Sequence, residues 1–297
     1  MPKKIDSLIC YKKIKLGDGN KMNFFLDKHS TQEGTWGKLT LESGELEFVF
    51  LDGSENKLSC IRMDSTNRVI SIPPSCWHKV KPASKAFSAT LEFYCVPHRY
   101  FQKKYGLGRV HGDLLYALNN YFNNHDKMRI LDVGCGKGRN LLYSALLGHH
   151  VTGIDFNKEA IDSIHAVTKK EKLTNVNAIV HDLHDVVDFD DEQFDLVIST
   201  VSLQFLKAER ISSLLTELQQ LTVAKGMHFI VYPISELPFE LPESFTYVPE
   251  SKALYHFYQD SGWAVLEYNE AVGQLHRLDE SGKPIQGKFG LLLAQKN

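Results

Sequence analysis

Apolar positions alternate with polar ones along the first third of the chain, and the period then changes. Over 38–50, KLTLESGELEFVF, the residues Leu39 and Leu41 and then Leu46, Phe48 and Phe50 fall on every second position. That is the spacing of strands with one buried face. Similar short runs occupy 57–62, 69–72 and 86–95, punctuated by Gly44, Asp52-Gly53 and Pro73-Pro74, residues that favour turns. Several strands at this spacing predict a small all-β barrel or sandwich over residues 1–98. Residues 99–127 bridge to the next region and turn helical from about Asp113 to Asn124. Beyond Lys127, short apolar runs alternate with segments of helical period. Strands are expected at 129–133, 150–154, 176–180, 194–199 and 226–232, and helices at 139–148, 157–172 and 207–224. A last pair of strands is expected at 263–269 and 288–295. This order predicts an α/β domain over 99–297, a doubly wound sheet with an antiparallel C-terminal hairpin at its edge.

Composition narrows the classes. The 297 residues favour two domains. With 34 basic and 36 acidic residues the net charge is −2. This speaks against nucleic acid or an anionic membrane surface as the main partner. No apolar run approaches the roughly 18 residues of a spanning helix, and the basic N-terminus lacks the apolar core of a signal peptide. Five cysteines, an odd number without a CxxC pair, suit free thiols and a cytoplasmic location.

The densest chemistry lies at Arg129–Asn140, RILDVGCGKGRN. An apolar strand ends at Asp132-Val133, Gly134, Gly136 and Gly138 follow, and a helix begins at Arg139-Asn140. Strand, glycine turn and helix N-terminus make a nucleotide-binding corner. The pattern is GxGxG and not the dinucleotide GxGxxG. The second strand ends at Asp155, followed by Phe156, where a carboxylate can accept from ribose hydroxyls. Asp182, with Leu183 after it, follows the third strand and can meet the amino group of an adenine or cap a following helix. Thr200 closes the fourth strand, where a site floor would lie. Acids at three successive strand ends suit a neutral or cationic nucleoside. A triphosphate would need a P-loop, and GxxxxGK[ST] is absent.

The motifs LDVGCGKGRN, GIDFN, HDL and FDLVIST resemble those of class I S-adenosylmethionine-dependent methyltransferases. The resemblance implies a Rossmann-like methyltransferase sheet with S-adenosyl-L-methionine as cofactor. Gly134, Cys135 and Gly136 would flank its methionine part, Asp155 with Phe156 its ribose, and Asp182-Leu183 its adenine. Asp132 would contact the cofactor's amino group, directly or through water, or else orient the glycine turn. Arg139 and Asn140 would lie where cofactor and methyl acceptor meet.

The segments SALLGHHVTGIDFNKEAI, FDLVISTVSLQFL and EYNEAVGQLHRLDESGKPI are more narrowly similar to the TehB tellurite-resistance methyltransferases. HSTQEGTWGKLTLESGELEF, IPPSCWHKV and EFYCVP resemble the cupin-like barrel fused ahead of some of them. Within GQLHR, the pair His276-Arg277 matches the family's acceptor-side motif, and the alternative is an exposed pair beside the last hairpin. Arginine and histidine suit an oxyanion through charge-assisted hydrogen bonds. One departure stands out: Pro284 takes a position where the family commonly has arginine, with Lys283 just before it. The resemblance implies methyl transfer to tellurite or a related chalcogen oxyanion, with no nucleic-acid or membrane partner. A small organic acceptor, such as a thiol or selenium compound, and a regulatory cofactor-binding module are the alternatives. The fourth strand lacks the Asn/Asp-Pro-Pro-aromatic turn that grips a base. In the barrel, His29, Glu33 and His78 fall near cupin ligand positions, but local packing is the favoured reading, and no metal is expected there or at His181 and His184. Ligand sensing and homodimerisation are both open roles for the barrel.

Overall fold

The computed structural model describes residues 8–17, 23–122, 127–190, 192–278 and 282–297; for Asn23, Phe24, His276 and Arg277 it describes the backbone. The chain forms two compact units, Met1–Gly106 and Leu107–Asn297. The stretch read as a bridge therefore divides. Its helix Tyr100–Tyr105, which the sequence pattern did not predict, belongs to the first unit, and the helix Gly112–Tyr121 to the second.

Among the described residues the first unit contains eight strands: β1 (Ile9–Gly17), β2 (His29–Ser30), β3 (Trp36–Ser43), β4 (Leu46–Leu51), β5 (Lys57–Met63), β6 (Val69–Ile72), β7 (Trp77–Pro82) and β8 (Ser88–Cys95). A short helix, α1 (Asn23–Leu26), precedes β2, and α2 (Tyr100–Tyr105) closes the unit. The strands form two antiparallel four-stranded sheets, ordered β1-β8-β3-β6 and β2-β7-β4-β5. The two-residue period puts Leu39, Leu41, Leu46, Phe48, Ile70 and Ile72 into one core.

The second unit has α3 (Gly112–Tyr121), β9 (Arg129–Val133), α4 (Arg139–Leu146), β10 (His150–Asp155), α5 (Lys158–Glu171), β11 (Val176–Val180) and β12 (Phe194–Thr200). It continues with α6 (Ala208–Gln220), β13 (Thr222–Ile234), α7 (Ala253–Asp260), β14 (Ala264–Leu278) and β15 (Pro284–Gln295). The sheet order is β11-β10-β9-β12-β13-β15-β14. The first five strands are parallel, and β15 pairs antiparallel with both β13 and β14. Strands β9 and β12 lie at the centre, and Ile130–Val133 and Leu196–Thr200 are buried throughout. Strands covered on both faces read as continuous apolar runs, not alternating ones. The order reverses between β9 and β12, so their carboxyl ends open the crevice where ligands bind in such sheets.

Several expected boundaries shift. The helix expected over 207–224 stops at Gln220, and β13 already begins at Thr222. There Thr222 Oγ1 donates to Leu218 O and hydrogen-bonds His228 Nε2 at 2.8 Å, fixing the helix-to-strand turn inside the core. The last two strands, expected at 263–269 and 288–295, extend to Ala264–Leu278 and Pro284–Gln295. His276 and Arg277 consequently lie on strand backbone.

Phe48 is fully buried in the first unit's core. Phe48→Ala is expected to destabilise that unit by about 3–5 kcal/mol, read as a lower urea midpoint for its unfolding transition. A midpoint within error of wild type would mean that the ring does not fill the core.

Candidate functional site

The glycine turn hangs from the end of β10. Gly134 and Cys135 both donate their N–H groups to Ile154 O, at 2.9 and 3.0 Å. The Asp155 carboxylate accepts from Gly136 N at 2.8 Å through Oδ2 and from Asn157 N at 2.9 Å through Oδ1. Gly134 has φ +70°, and a Cβ there would stand 2.4 Å from Ser202 Cβ, so the turn packs directly on the segment after β12. Gly136 has φ +54°, but a Cβ on it would meet nothing within 4 Å. The turn is thus closed toward β12 and open above Gly136, a cradle for a ligand.

Asn140, the second residue of α4, is buried and ties three elements together. Its Oδ1 accepts from His111 N at 3.1 Å, and its Nδ2 donates to Thr200 Oγ1 at 3.0 Å. Arg139 beside it is half-buried, and burial lowers the pKa of its guanidinium while Asp132 opposes that shift. Asp132 itself is 2% exposed, and burial pushes its carboxyl up from 3.8 to about 7, against the pull of Arg139. The Cys135 thiol is also pushed up strongly by burial, which fits a small packing residue and not a reactive thiolate.

Toward the third strand, Asp182 is half-exposed and begins a turn. Its Oδ1 accepts from His184 N at 2.9 Å and meets His184 Nδ1 at 2.8 Å, and these hydrogen bonds hold its carboxyl below the usual range. The segment it caps is a turn, so the helix-cap alternative is corrected to a turn cap. Leu183 is buried in the core, whereas Phe156 is exposed, a flat face next to Asp155.

A cavity of about 470 Å³ opens beyond α4, over β13, β14 and β15. Arg139, Thr200, His111, Gln204, Phe245 and Asn269 are among its lining residues. The structure therefore brings together Arg139 and Thr200, which the sequence pattern singled out, and three polar residues that it missed. His111 was hidden in the bridge, and its ring is held neutral first by burial and then by the Arg139 charge. Its Nδ1 stands 3.7 Å from Asp113 Oδ2. Gln204 sat in an apolar run and Asn269 in an expected edge strand. Neither carried a signal beyond being polar among apolar neighbours. The side chains of His276 and Arg277 lie outside the described residues.

Buried polar atoms without a protein hydrogen-bond partner are completed by a ligand or by water. Among the described residues these are His111 Nδ1, Asp132 Oδ2, His181 Nε2 and Gln204 Oε1. Asp132 lies under the glycine turn, His181 follows β11, and the other two line the cavity. The set is one carboxylate oxygen, one amide oxygen and two imidazole nitrogens, with the Arg139 cation lining the same cavity as His111 and Gln204. It fits a nucleoside bearing a cationic group, with an acceptor space beside it.

In the barrel, His29 and His78 are cross-strand partners with ring centroids 4.2 Å apart. Their Nδ1 atoms bond to the carbonyls of Asp27 and Cys76, and burial holds His78 down to about 4. Glu33 is exposed, and no group of three His, Cys, Asp or Glu suited to a metal occurs among the described residues. Likewise, no described helix is long and apolar enough to cross a membrane.

Comparison with known proteins covers both units. The family described as "Tellurite resistance protein TehB" matches residues 93–293, and the "TehB-like domain" matches 23–91. The chain is 36% identical, over 98% of its length and 99% of the relative's, to a probable S-adenosyl-L-methionine-dependent methyltransferase TehB of Haemophilus influenzae. The crystal structure of TehB from Haemophilus influenzae superposes with a TM-score of 0.91 at 35% identity, covering 99% of this chain and 100% of that one. The YcgJ protein of Bacillus subtilis, 14% identical with a TM-score of 0.50, covers 63% of this chain and 99% of its own and shares the fold alone.

Asp132 carries a pH prediction. Its native pKa lies above the ordinary value, so the folded state holds this proton more tightly than the unfolded chain. Stability from this group is greatest below 3.8 and declines as pH rises to about 7. Asp132→Asn removes the decline. Relative to wild type, the variant is expected to gain more than about 1 kcal/mol across that window in urea titrations. Parallel curves for the two proteins would contradict the assignment.

Proposed function

The chain belongs to the TehB family and is an S-adenosyl-L-methionine-dependent methyltransferase, and from that premise we propose that it methylates tellurite or a related chalcogen oxyanion and so contributes to tellurite resistance. The setting is cytoplasmic, with a small-molecule partner and neither nucleic acid nor membrane. The observation that carries this reading is Arg139. Arg139 lines the cavity half-buried, with the buried Asp132 as the carboxylate that pulls on its charge. A desolvated cation of this kind is prepared for an anion.

When bound, the cofactor would supply a methyl group on a sulfonium for transfer to the chalcogen lone pair, the electron pair of the broken carbon–sulfur bond staying on sulfur. The chain's own groups bind and align. Asp155 would accept from the ribose hydroxyls, exchanging part of its present bonding to Gly136 and Asn157. His181, Asp182 and Leu183 would border the adenine, with Phe156 alongside. Asp132 Oδ2 would take a donor from the cofactor's ammonium, which favours the carboxylate form that burial now disfavours. Gly134, Cys135 and Gly136 would present backbone to the methionine part. Asn140 fixes Thr200 at the site floor. Arg139, with His276 and Arg277, would attract the oxyanion and orient it toward the methyl. The methyl goes to the chalcogen lone pair, so no proton has to be removed from the acceptor's oxygens, and these groups act through charge.

A second reading has its own support. Phe205, Val231, Phe245, Phe289 and Leu291 wall the cavity, which is larger than a bare oxyanion requires. An acceptor with an apolar body, such as a small thiol or selenium compound, would use that surface.

Turnover with radiolabelled cofactor separates the two. Tellurite and selenite offered singly are expected to yield demethylated cofactor, and small thiols less. Turnover with thiols alone would favour the second reading, and turnover with none of them would defeat the proposal. Arg277→Ala is expected to raise the KM for tellurite about tenfold or more with cofactor affinity nearly unchanged. Weakened cofactor binding with unaltered KM would move Arg277 to the cofactor side.

A further inference from the structure

Gln204 is the buried polar residue at the acceptor cavity whose chemistry is most constrained. It sits in the short helical turn after β12 and is 1% exposed. Its backbone carbonyl accepts from Thr246 N at 2.8 Å and Tyr247 N at 3.2 Å. Its Nε2 donates to Val201 O at 2.7 Å. Val201 is a β-branched residue at φ +57°, a costly conformation that recurs at functional sites, and its own N–H is held by Val231 O at 2.8 Å. Exchanging the amide's oxygen and nitrogen would set two carbonyl oxygens against each other. The orientation is therefore fixed, and the atom left without a partner, Oε1, can only accept.

Among the described residues the charged and titratable groups around the cavity are few, and the proposed acceptor-side pair His276 and Arg277 adds one titratable and one charged group to them. Arg139 comes from α4, and His111 and Asp113 from the start of α3, with His111 neutral and Asp113 mostly exposed. The described lining residues on β13, β14 and β15 and around Phe245 are uncharged. A fully ionised oxyanion offers acceptors alone, so its oxygens would face the carbonyl dipole of Gln204. A singly protonated oxyanion offers one O–H to Gln204 and its negative oxygens to Arg139. We propose that Gln204 is a specificity-determining residue that reads the proton of the acceptor, so that the protein takes the monoprotonated oxyanion, hydrogen tellurite or hydrogen selenite, and discriminates against the dianion. This rests on the oxyanion reading above. The charges also balance. A monoanion and the methyl of a sulfonium give a neutral methylated product, the acceptor's lone pair forms the bond, and the proton stays on its oxygen.

The test measures kcat/KM for total tellurite and total selenite across the second ionisation of each acid, together with the affinity for S-adenosylhomocysteine, in wild type and Gln204→Met. For wild type, kcat/KM is expected to fall about tenfold per pH unit above the acceptor's second ionisation. The break should move when selenite replaces tellurite, because it belongs to the acceptor and not to the enzyme. Gln204→Met is expected to lower kcat/KM about tenfold below the break and to flatten the fall above it, with S-adenosylhomocysteine affinity unchanged. A wild-type profile that is level or rising through the break, or a break that stays put with both acceptors, overturns the proposal. So does a Gln204→Met variant whose loss falls on S-adenosylhomocysteine affinity with the acceptor KM unaltered, which would mean that Oε1 serves the cofactor's ammonium. No turnover with either oxyanion at any pH would instead defeat the oxyanion reading itself.

Discussion

The site depends on one carboxylate. Asp155, at the end of β10, holds Gly136 N and Asn157 N, and the preceding carbonyl of Ile154 holds Gly134 N and Cys135 N. The three bonds to Gly134, Cys135 and Gly136 suspend the glycine turn from the end of β10, the Asn157 bond steadies the carboxylate, and the space above Gly136 stays open. A buried carboxylate bonded by two backbone N–H groups is held in one orientation. On the proposed reading a ribose hydroxyl arriving there would meet a preformed acceptor and exchange one hydrogen bond for another, at little cost in ordering.

From that anchor the rest of the site follows by contact. Gly134 lies against Ser202, whose hydroxyl donates to Val133 O at 3.0 Å and meets Ser199 Oγ at 2.7 Å. The end of β9 and the segment after β12 are thereby locked together. This in turn fixes Val201 and the turn that carries Gln204. On the other side, Asn140 links the N-terminus of α4 to Thr200 and to His111. The cofactor track and the acceptor cavity are thus two ends of one hydrogen-bonded frame. The unsatisfied atoms at Asp132, His181, His111 and Gln204 are distributed along it. A folded protein tolerates such atoms where a ligand completes them.

Much of this was legible in the chain. The alternation of Leu39, Leu41, Leu46 and Phe48 gave the all-β unit, and the unbroken apolar runs around Ile130 and Val197 gave the central parallel strands, because burial on both faces leaves no polar position. The glycine turn and Asp155 were legible because only glycine meets the backbone demand at 134 and because strand-end acids have a fixed geometric role. What escaped reading depended on tertiary contact. His111 acquires its place through Asn140, and Gln204 through the left-handed backbone of Val201. Neither link has a periodicity or spacing that a sequence displays. The extension of β14 and β15 past their apolar cores escaped for the same reason: polar residues such as Gln274 and Gln286 pair through backbone alone.

The account stands or falls on Asp155 as the group that receives the cofactor's ribose. Calorimetric titration of S-adenosylhomocysteine into wild type and Asp155→Asn tests it directly, since the amide keeps the size of the carboxylate and loses its charge and one acceptor. The expected result is a loss of affinity of about tenfold or more in a variant that remains folded by circular dichroism. Equal affinity for the two proteins would contradict it.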